Sequence, residues 1–316
     1  MSVSRLGLGL AAIGRPAYIT AGRSADLGER RTIEAMRRLC LQLLDQAYAT
    51  GVRYFDAARS YGRAEEFLGE WLAGGPADVV VGSKWGYRYV ADWHVDADVH
   101  EIKDHSLAAF TRQLGETRAL LGDRLGVYHV HSATLDTGVL DDTELHTALA
   151  ALRDTGVRIG VSTSGPEQGA AIRKALGVAV GGFPLFTSIQ ATWNVLETSA
   201  GTALADAAAE GCSVIVKEAV ANGRLTPAAA PDDERARRAA AVAAELGIGV
   251  DQLAIAAALA QPWAPTVLSG AATADQLASN LAATGDMLPP AALEELAELA
   301  EPPTDYWAAR SRRPWA

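Results

Sequence analysis

Short apolar runs and amphipathic helical patterns alternate along the whole of this chain, and that alternation restricts its fold more than any other feature. The first run is "RLGLGLAA". A helical pattern over 31–50 follows, with Ile33, Met36, Leu39, Leu43 and Ala47 near a 3.6-residue period and Gly51 as its stop. "VRYFDAA" and a helix over 63–73 form the second unit, and "DVVVGSKW" is the third strand. After a long loop, "GYRYVADWHVDADVH", the pattern predicts a helix over about 100–121, then "LGVYHVHSA" and a helix over 143–155. "VRIGVSTS", "FTSIQATWN", "SVIVKEA" and "PTVLSGA" are the remaining strands, with helices from Pro166 and over 201–210 and 274–283 between and after them. Two helices, 232–246 and 250–261, enlarge the crossover after the seventh strand, and an acidic helix over 289–300 leads to a tail rich in Trp, Tyr and Arg.

Strands that alternate with helices require a parallel sheet. Eight such units in 316 residues predict a closed (β/α)8 barrel, with residues 1–316 as one domain. A doubly wound open sheet is the alternative, but "GLGLAAIG" matches its G-x-G-x-x-G fingerprint poorly.

Composition narrows the class of partner. Apolar residues are 49% of the chain, enough for a large core, and the net charge of −10 repels phosphate backbones. With no dense Lys/Arg run, nucleic acid is excluded as an expected partner. Cys40 and Cys212 are too far apart in sequence for a metal-ligand spacing or a disulfide framework. The N-terminal apolar run is broken by Gly7, Gly9 and Gly14 and ends in Arg15-Pro16, unlike a signal peptide. No run reaches the roughly 18 apolar residues of a membrane span. A soluble, cytoplasmic protein is expected, and the sequence leaves its oligomeric state open.

In a (β/α)8 barrel the chemistry lies at the C-terminal ends of the strands. There the sequence puts Asp56 with Tyr61 in the following loop, Lys84, His131, Ser162-Thr163-Ser164, Gln190 and Asn194, and Lys217-Glu218. Singly, each has an ordinary role: a helix cap, a strand-end charge, a loop aromatic, a core histidine. Together, a carboxylate, an amine, a phenol and an imidazole from three successive strands make a reactive set. Lys84 beside Asp56 stays charged, and an ammonium near Tyr61 is expected to draw the phenol down from about 10 toward neutrality, where it is a usable general acid. His131 can donate a hydrogen bond to a carbonyl oxygen.

These residues carry a resemblance. "DAARSY", "GSKWG", "YHVHSA", "IGVSTS", "SIQATWN", "NGRLT" and "SGAATADQLASNLAA" make the chain, from about Leu6 to Ala283, similar to the aldo-keto reductases. The resemblance implies a nicotinamide-dependent oxidoreductase interconverting an aldehyde or ketone and an alcohol, with Asp56, Tyr61, Lys84 and His131 as the catalytic tetrad. It further implies that Ser162, Thr163 and Gln190 hold the nicotinamide carboxamide, with Gly9 and Asp56 beside the same cofactor. Lys217, Gly270, Thr273, Gln276 and Asn280 would then line the pyrophosphate and adenosine.

The chain also departs from the family. Thr163 stands where Asn is usual, Lys217 where many members stack an aromatic ring on the nicotinamide, and Ser132 where Trp is common. No Lys or Arg occurs between Arg238 and Arg310, so a 2′-phosphate lacks an evident cation unless Arg224 or the tail residues Arg310, Arg312 and Arg313 supply one. The cofactor is therefore expected to be NADP or NAD, with weak NADP selectivity. Trp85 and Trp93 are candidate walls of the substrate pocket, with Tyr87, Tyr89, Tyr306, Trp307 and Trp315 as further rings.

Two other functions remain in play. His129 and His131 lie two apart on one strand and so face the same way, as ligand pairs do in barrel metallohydrolases. His94, His100, His105 and His146 fall in loop or helix stretches, so no ligand set is complete and no metal is expected. A catalytically silent nicotinamide-binding regulator is the third reading.

Overall fold

The computed structural model describes residues 4–316. Its strands are β1 (Leu6–Gly9), β2 (Tyr54–Asp56), β3 (Val80–Trp85), β4 (Tyr87–Tyr89), β5 (Glu101–Lys103), β6 (Leu125–Ala133), β7 (Arg158–Thr163), β8 (Ala179–Val180), β9 (Phe183–Pro184), β10 (Ser188–Thr192), β11 (Ser213–Lys217) and β12 (Thr266–Ser269). Eight of them close into a barrel in the order β1-β12-β11-β10-β7-β6-β3-β2, and every pairing is parallel. This is the (β/α)8 barrel that the alternation predicts. Parallel strands are covered on both faces, which is why all five residues of β10 are buried, polar ones included. All eight C-terminal strand ends share one rim.

Five of the helices start where a short polar side chain can take a free backbone N–H. Thr32 accepts from Ala35, Ser106 from Ala109, Asp142 from Leu145, Asp233 from Ala236 and Thr273 from Gln276, at 2.9–3.2 Å. Behind the Thr32 cap, Met36, Cys40, Leu43, Leu44 and Ala47 form the stripe that packs on the barrel. Among the described residues no single helix is long and apolar enough to cross a membrane.

Three stretches differ from the expectation. The helix expected over about 100–121 begins at Leu107, because Ser106 caps it there and Glu101–Lys103 pairs antiparallel with Tyr87–Tyr89. The long loop after β3 is thus largely a hairpin against the rim. The C-terminal tail is a helix, Pro303–Ser311, opened by a proline whose missing N–H costs nothing in the first turn. Beyond it the chain returns to the barrel mouth, where Ala316 and Tyr18 exchange both backbone hydrogen bonds, at 3.1 and 3.2 Å.

The barrel interior is tightly filled below the rim. His129 shares a 2.9 Å hydrogen bond with Ser188 Oγ, and burial with the nearby Lys84 charge holds its imidazole down at about 3, hence neutral. Gly160 makes room for that ring. A Cβ there would lie 2.4 Å from the Ser188 carbonyl oxygen and 2.5 Å from His129 Cδ2. Gly160→Ala should therefore cost about 1–3 kcal/mol by overpacking, read as a lowered urea midpoint with an unchanged slope. A midpoint equal to that of the wild type would show that the His129 layer yields freely.

Candidate active site

Parallel pairing carries the chemistry to one place. Asp56 ends β2, Lys84 lies near the end of β3 and His131 near the end of β6. Lys84 Nζ forms a fully buried ion pair with Asp56 Oδ2 and donates to the Ala57 carbonyl at 3.0 Å. The other carboxylate oxygen, Oδ1, accepts from Gln190 Nε2 at 2.9 Å and from the Tyr54 hydroxyl at 3.4 Å. The ion pair is thus hydrogen-bonded on both sides, the condition under which a buried pair is tolerated. Lys84 Nζ also lies 4.8 Å from the centre of the Tyr61 ring.

Tyr61 and His131 meet edge to face. Tyr61 Oη is 3.5 Å from His131 Nε2, and Ser60 Oγ is 3.4 Å from His131 Nδ1. His105 Nε2 donates to the His131 carbonyl at 2.8 Å, and β6 changes register between Val130 and Ala133, with Ser132 at φ 52°. Burial, then Lys84 and Lys217, hold His131 well below the ordinary histidine range, so near neutral pH its imidazole is uncharged. A neutral imidazole carries one N–H and can donate it to a carbonyl oxygen.

The phenol corrects an expectation. Burial, and then the Asp56 carboxylate, push Tyr61 well above 10, and Arg15 is the first influence opposing them. Lys84 does not draw the phenol toward neutrality, because its charge is already matched by Asp56 at contact. Tyr61 is held as a protonated acid beside a neutral imidazole.

A cavity of about 300 Å3 opens onto this group. Of the residues expected to act in catalysis or to hold the cofactor, Gly9, Asp56, Tyr61, His131, Gln190, Lys217 and Gly270 line it. Ser164 represents the β7 end instead of its neighbours. Ser162 Oγ accepts from the Ser132 N–H at 2.8 Å, and Thr163 is fully buried with an unpartnered hydroxyl. Thr273 caps its own helix, Gln276 Oε1 accepts from the Ala272 N–H, and Asn280 bridges Ser269 and Asp251. These three side chains hold the loop after β12 rather than face the cavity.

Trp85 and Trp93 are not pocket walls. Alternation along β3 turns Lys84 to the rim and Trp85 outward, where it is fully buried against Phe110 and His105. The Trp93 indole N–H donates to the Arg31 carbonyl and pins its own loop. The rings that do line the cavity are Tyr18, Tyr87 and Trp315, beside Tyr61. Arg15, Tyr18 and Glu101 were not recognised in the sequence. Their one signal was the Arg15-Pro16 break after β1, which reads equally well as a plain turn.

The charged side of the cavity is built by Lys217, Glu218 and Arg310. Lys217 Nζ donates to Thr192 Oγ1 at 2.7 Å and lies 3.8 Å from Glu218, while Arg310 grips Glu218 through two nitrogens at 2.9 and 2.5 Å. Burial lowers Lys217 to about 8 against the pull of Glu218. Burial works against ionised Glu218, but Arg310 and Lys217 overcome it and hold the carboxyl down at about 2. Gln190 Oε1 and Asn222 Oδ1 are buried on this cavity without a partner. Free acceptors with cations close by suit a group that bears a primary amide and phosphates. Among the described residues, no group of three or more His, Cys, Asp or Glu side chains gathers as metal ligands would.

The model of the aldo/keto reductase family matches residues 6–301. A Bacillus subtilis (strain 168) protein named as an uncharacterized oxidoreductase, YqkF, is 28% identical over 134 residues, which cover 40% of this chain and 40% of YqkF. The match thus spans less than half of that relative's length. Among solved structures, aldo-keto reductase AKR11C1 from Bacillus halodurans (holo form) superposes with a TM-score of 0.72 at 23% identity, covering 96% of this chain and 94% of that one. The Pseudomonas aeruginosa aldo-keto reductase PA4992 gives 0.64 at 24% identity, covering 92% and 93%. At these identities the two structures speak for the fold.

The Asp56–Lys84 pair makes its own prediction. Lys84→Met leaves a buried carboxylate without its cation and should cost about 3–5 kcal/mol of stability. Adding Asp56→Asn to that variant should recover part of the loss, measured by urea unfolding. A single variant as stable as the wild type would mean that water reaches Asp56 in solution.

Proposed function

The chain belongs to the aldo/keto reductase family, and on that premise we propose that it is a nicotinamide-dependent oxidoreductase that interconverts a small-molecule carbonyl and its alcohol. The observation that carries this reading is the convergence on one cavity of a protonated, buried phenol, a neutral imidazole and a hydrogen-bonded Asp–Lys pair. A nicotinamide held in this cavity would supply hydride in reduction and accept it in oxidation. Tyr61 Oη gives its proton to the substrate oxygen during reduction and takes it back during oxidation. His131 Nε2–H donates to the same oxygen and fixes its position. Lys84 and Asp56, paired with each other and hydrogen-bonded on both sides, hold the floor on which Tyr61 and His131 are placed. Gln190 Oε1, which has no protein partner, would accept from the carboxamide, and Lys217, on the same cavity, would meet the phosphates.

Tyr61→Phe keeps the ring and removes the acid. Carbonyl reduction should fall by about 10²–10⁴-fold with cofactor affinity near wild type, measured by steady-state kinetics and fluorescence titration. Retention of most activity would sink the assignment of Tyr61.

Cofactor choice follows from where the cations are committed. Arg224 is tied to Asp233 at 2.6 Å and to Glu301 at 2.6 Å, and Arg310 is tied to Glu218. Arg313 lines the cavity and donates to the Asn222 carbonyl at 3.0 Å. The segment 269–280 holds no cation, so NAD(H) competes with NADP(H). Gln276 now takes the Ala272 N–H instead of facing the cavity. Gln276→Arg gives up that bond for a longer, cationic side chain and should tighten NADPH by about tenfold, the effect of one charge-assisted hydrogen bond, and leave NADH near wild type. Equal tightening of both cofactors would place the 2′-phosphate elsewhere.

A further inference from the structure

Arg15 follows β1 and is 1% exposed. Nothing in the tetrad requires a buried guanidinium at this place, yet three elements hold it. Its NH1 donates to the carbonyl of Ser60, the residue before Tyr61, at 2.9 Å, and to Glu101 Oε1 at 2.6 Å. Arg23 donates to the Arg15 carbonyl at 2.5 Å. The guanidinium carbon lies 5.1 Å from the centre of the Tyr61 ring, 4.8 Å from that of Tyr18 and 4.6 Å from that of Trp315. The two loops also meet through their backbones. The Arg63 N–H donates to the Gly14 carbonyl at 2.7 Å, and a Cβ on Gly62 (φ 60°) would come within 2.4 Å of that oxygen and 2.9 Å of Arg15 Cβ.

We propose that Arg15 is a positioning residue for the acid: anchored by Glu101, it fixes the Ser60–Tyr61 backbone and presents a positive charge to the phenol ring. The proposal rests on the reading of Tyr61 as the proton donor. Several charged and titratable groups surround that ring. Asp56 and Tyr54 come from β2, Lys84 from β3, His131 from β6 and Glu101 from β5, with Tyr18 in the loop after β1 and Glu218 in the loop after β11. Lys84 is cancelled at contact by Asp56. Arg15 has a weaker counter-ion, since the Glu101 side chain keeps 18% of its surface in water, and it is left as the cation that favours the tyrosinate. Loss of Arg15 should make the phenol harder to ionise. Loss of Glu101 should do the opposite, because the cation then acts unopposed.

The test uses the pH profile of kcat/KM in both directions, where the alkaline fall of reduction and the rise of alcohol oxidation report the same group. Arg15→Met should move that limb up by about one pH unit, and Glu101→Gln should move it down by a similar amount. Arg15→Lys, which keeps the charge, should leave it near wild type. A readout without turnover is the ¹³Cζ resonance of Tyr61 in tyrosine-labelled protein, identified by its loss in Tyr61→Phe. At one alkaline pH its ionised fraction should rank Glu101→Gln above wild type and wild type above Arg15→Met. A merely structural Arg15 would lower rates in both variants without shifting their limbs in opposite directions. Coincident limbs, or shifts of the same sign, would overturn the proposal, and Glu101→Gln decides it alone if Arg15→Met does not fold. If Tyr61→Phe keeps its activity, the acid itself was misassigned. If Tyr61→Phe is inactive and the limbs do not move, only the role of Arg15 falls.

Discussion

The ion pair between Lys84 and Asp56 is the constraint on which the barrel mouth depends. Two full charges removed from water must satisfy each other and their remaining hydrogen-bonding capacity. Here Asp56 takes Lys84 on one oxygen, and Gln190 and Tyr54 on the other, while Lys84 also reaches the Ala57 carbonyl. Gln190 belongs to β10, which lies opposite β2 in the strand order, so this cluster braces the barrel across its diameter. Gly82 on the adjacent strand is part of the same arrangement, because a Cβ there would strike the Tyr54 hydroxyl at 2.3 Å. The geometry that makes the pair affordable also fixes the floor under Tyr61 and His131.

A second brace lies above the rim. Chain segments far apart in sequence meet there: the loop after β1, the hairpin of β4 and β5, the loop after β11 and the C-terminal helix. Arg310 ties the helix to Glu218, and Ala316 ties the chain end to Tyr18. Trp315 stacks on His100 at 4.3 Å and takes the Arg15 guanidinium at 4.6 Å. The barrel supplies the rigid chemistry, and this ring of tertiary contacts sets its electrical surroundings.

The barrel was legible because its signal is local. Each strand–helix unit carries its own periodicity, several with a cap as well, and parallel pairing then forces Asp56, Lys84 and His131 onto one rim with no further information. Trp85 was misread because adjacency in sequence to Lys84 says nothing of side, and a one-residue step along a strand reverses the face. The β4–β5 hairpin escaped because three-residue strands with Asp and His around them show little alternation. The environment of Tyr61 escaped for a different reason. Desolvation is a collective effect of everything packed around a group, and the sequence put Lys84 beside both Asp56 and Tyr61 without showing how deeply the phenol is buried or that Arg15 lies over its ring.

The same distinction governs how the cofactor side should be read. Counting arginines in the tail suggests a basic clamp, but charge that is already paired is not free to act. A phosphate approaching Arg310 must compete with a carboxylate held by two nitrogens, and one approaching Arg224 with two carboxylates. Lys217 differs, since its nearest partner is the neutral hydroxyl of Thr192 and burial has brought its ammonium down to about 8. An anion near that ammonium would restore what desolvation takes away. Of these three cations Lys217, at the end of β11, is therefore the one with most to gain from an anion, while Arg310 and Arg224 are held by carboxylates of the chain itself.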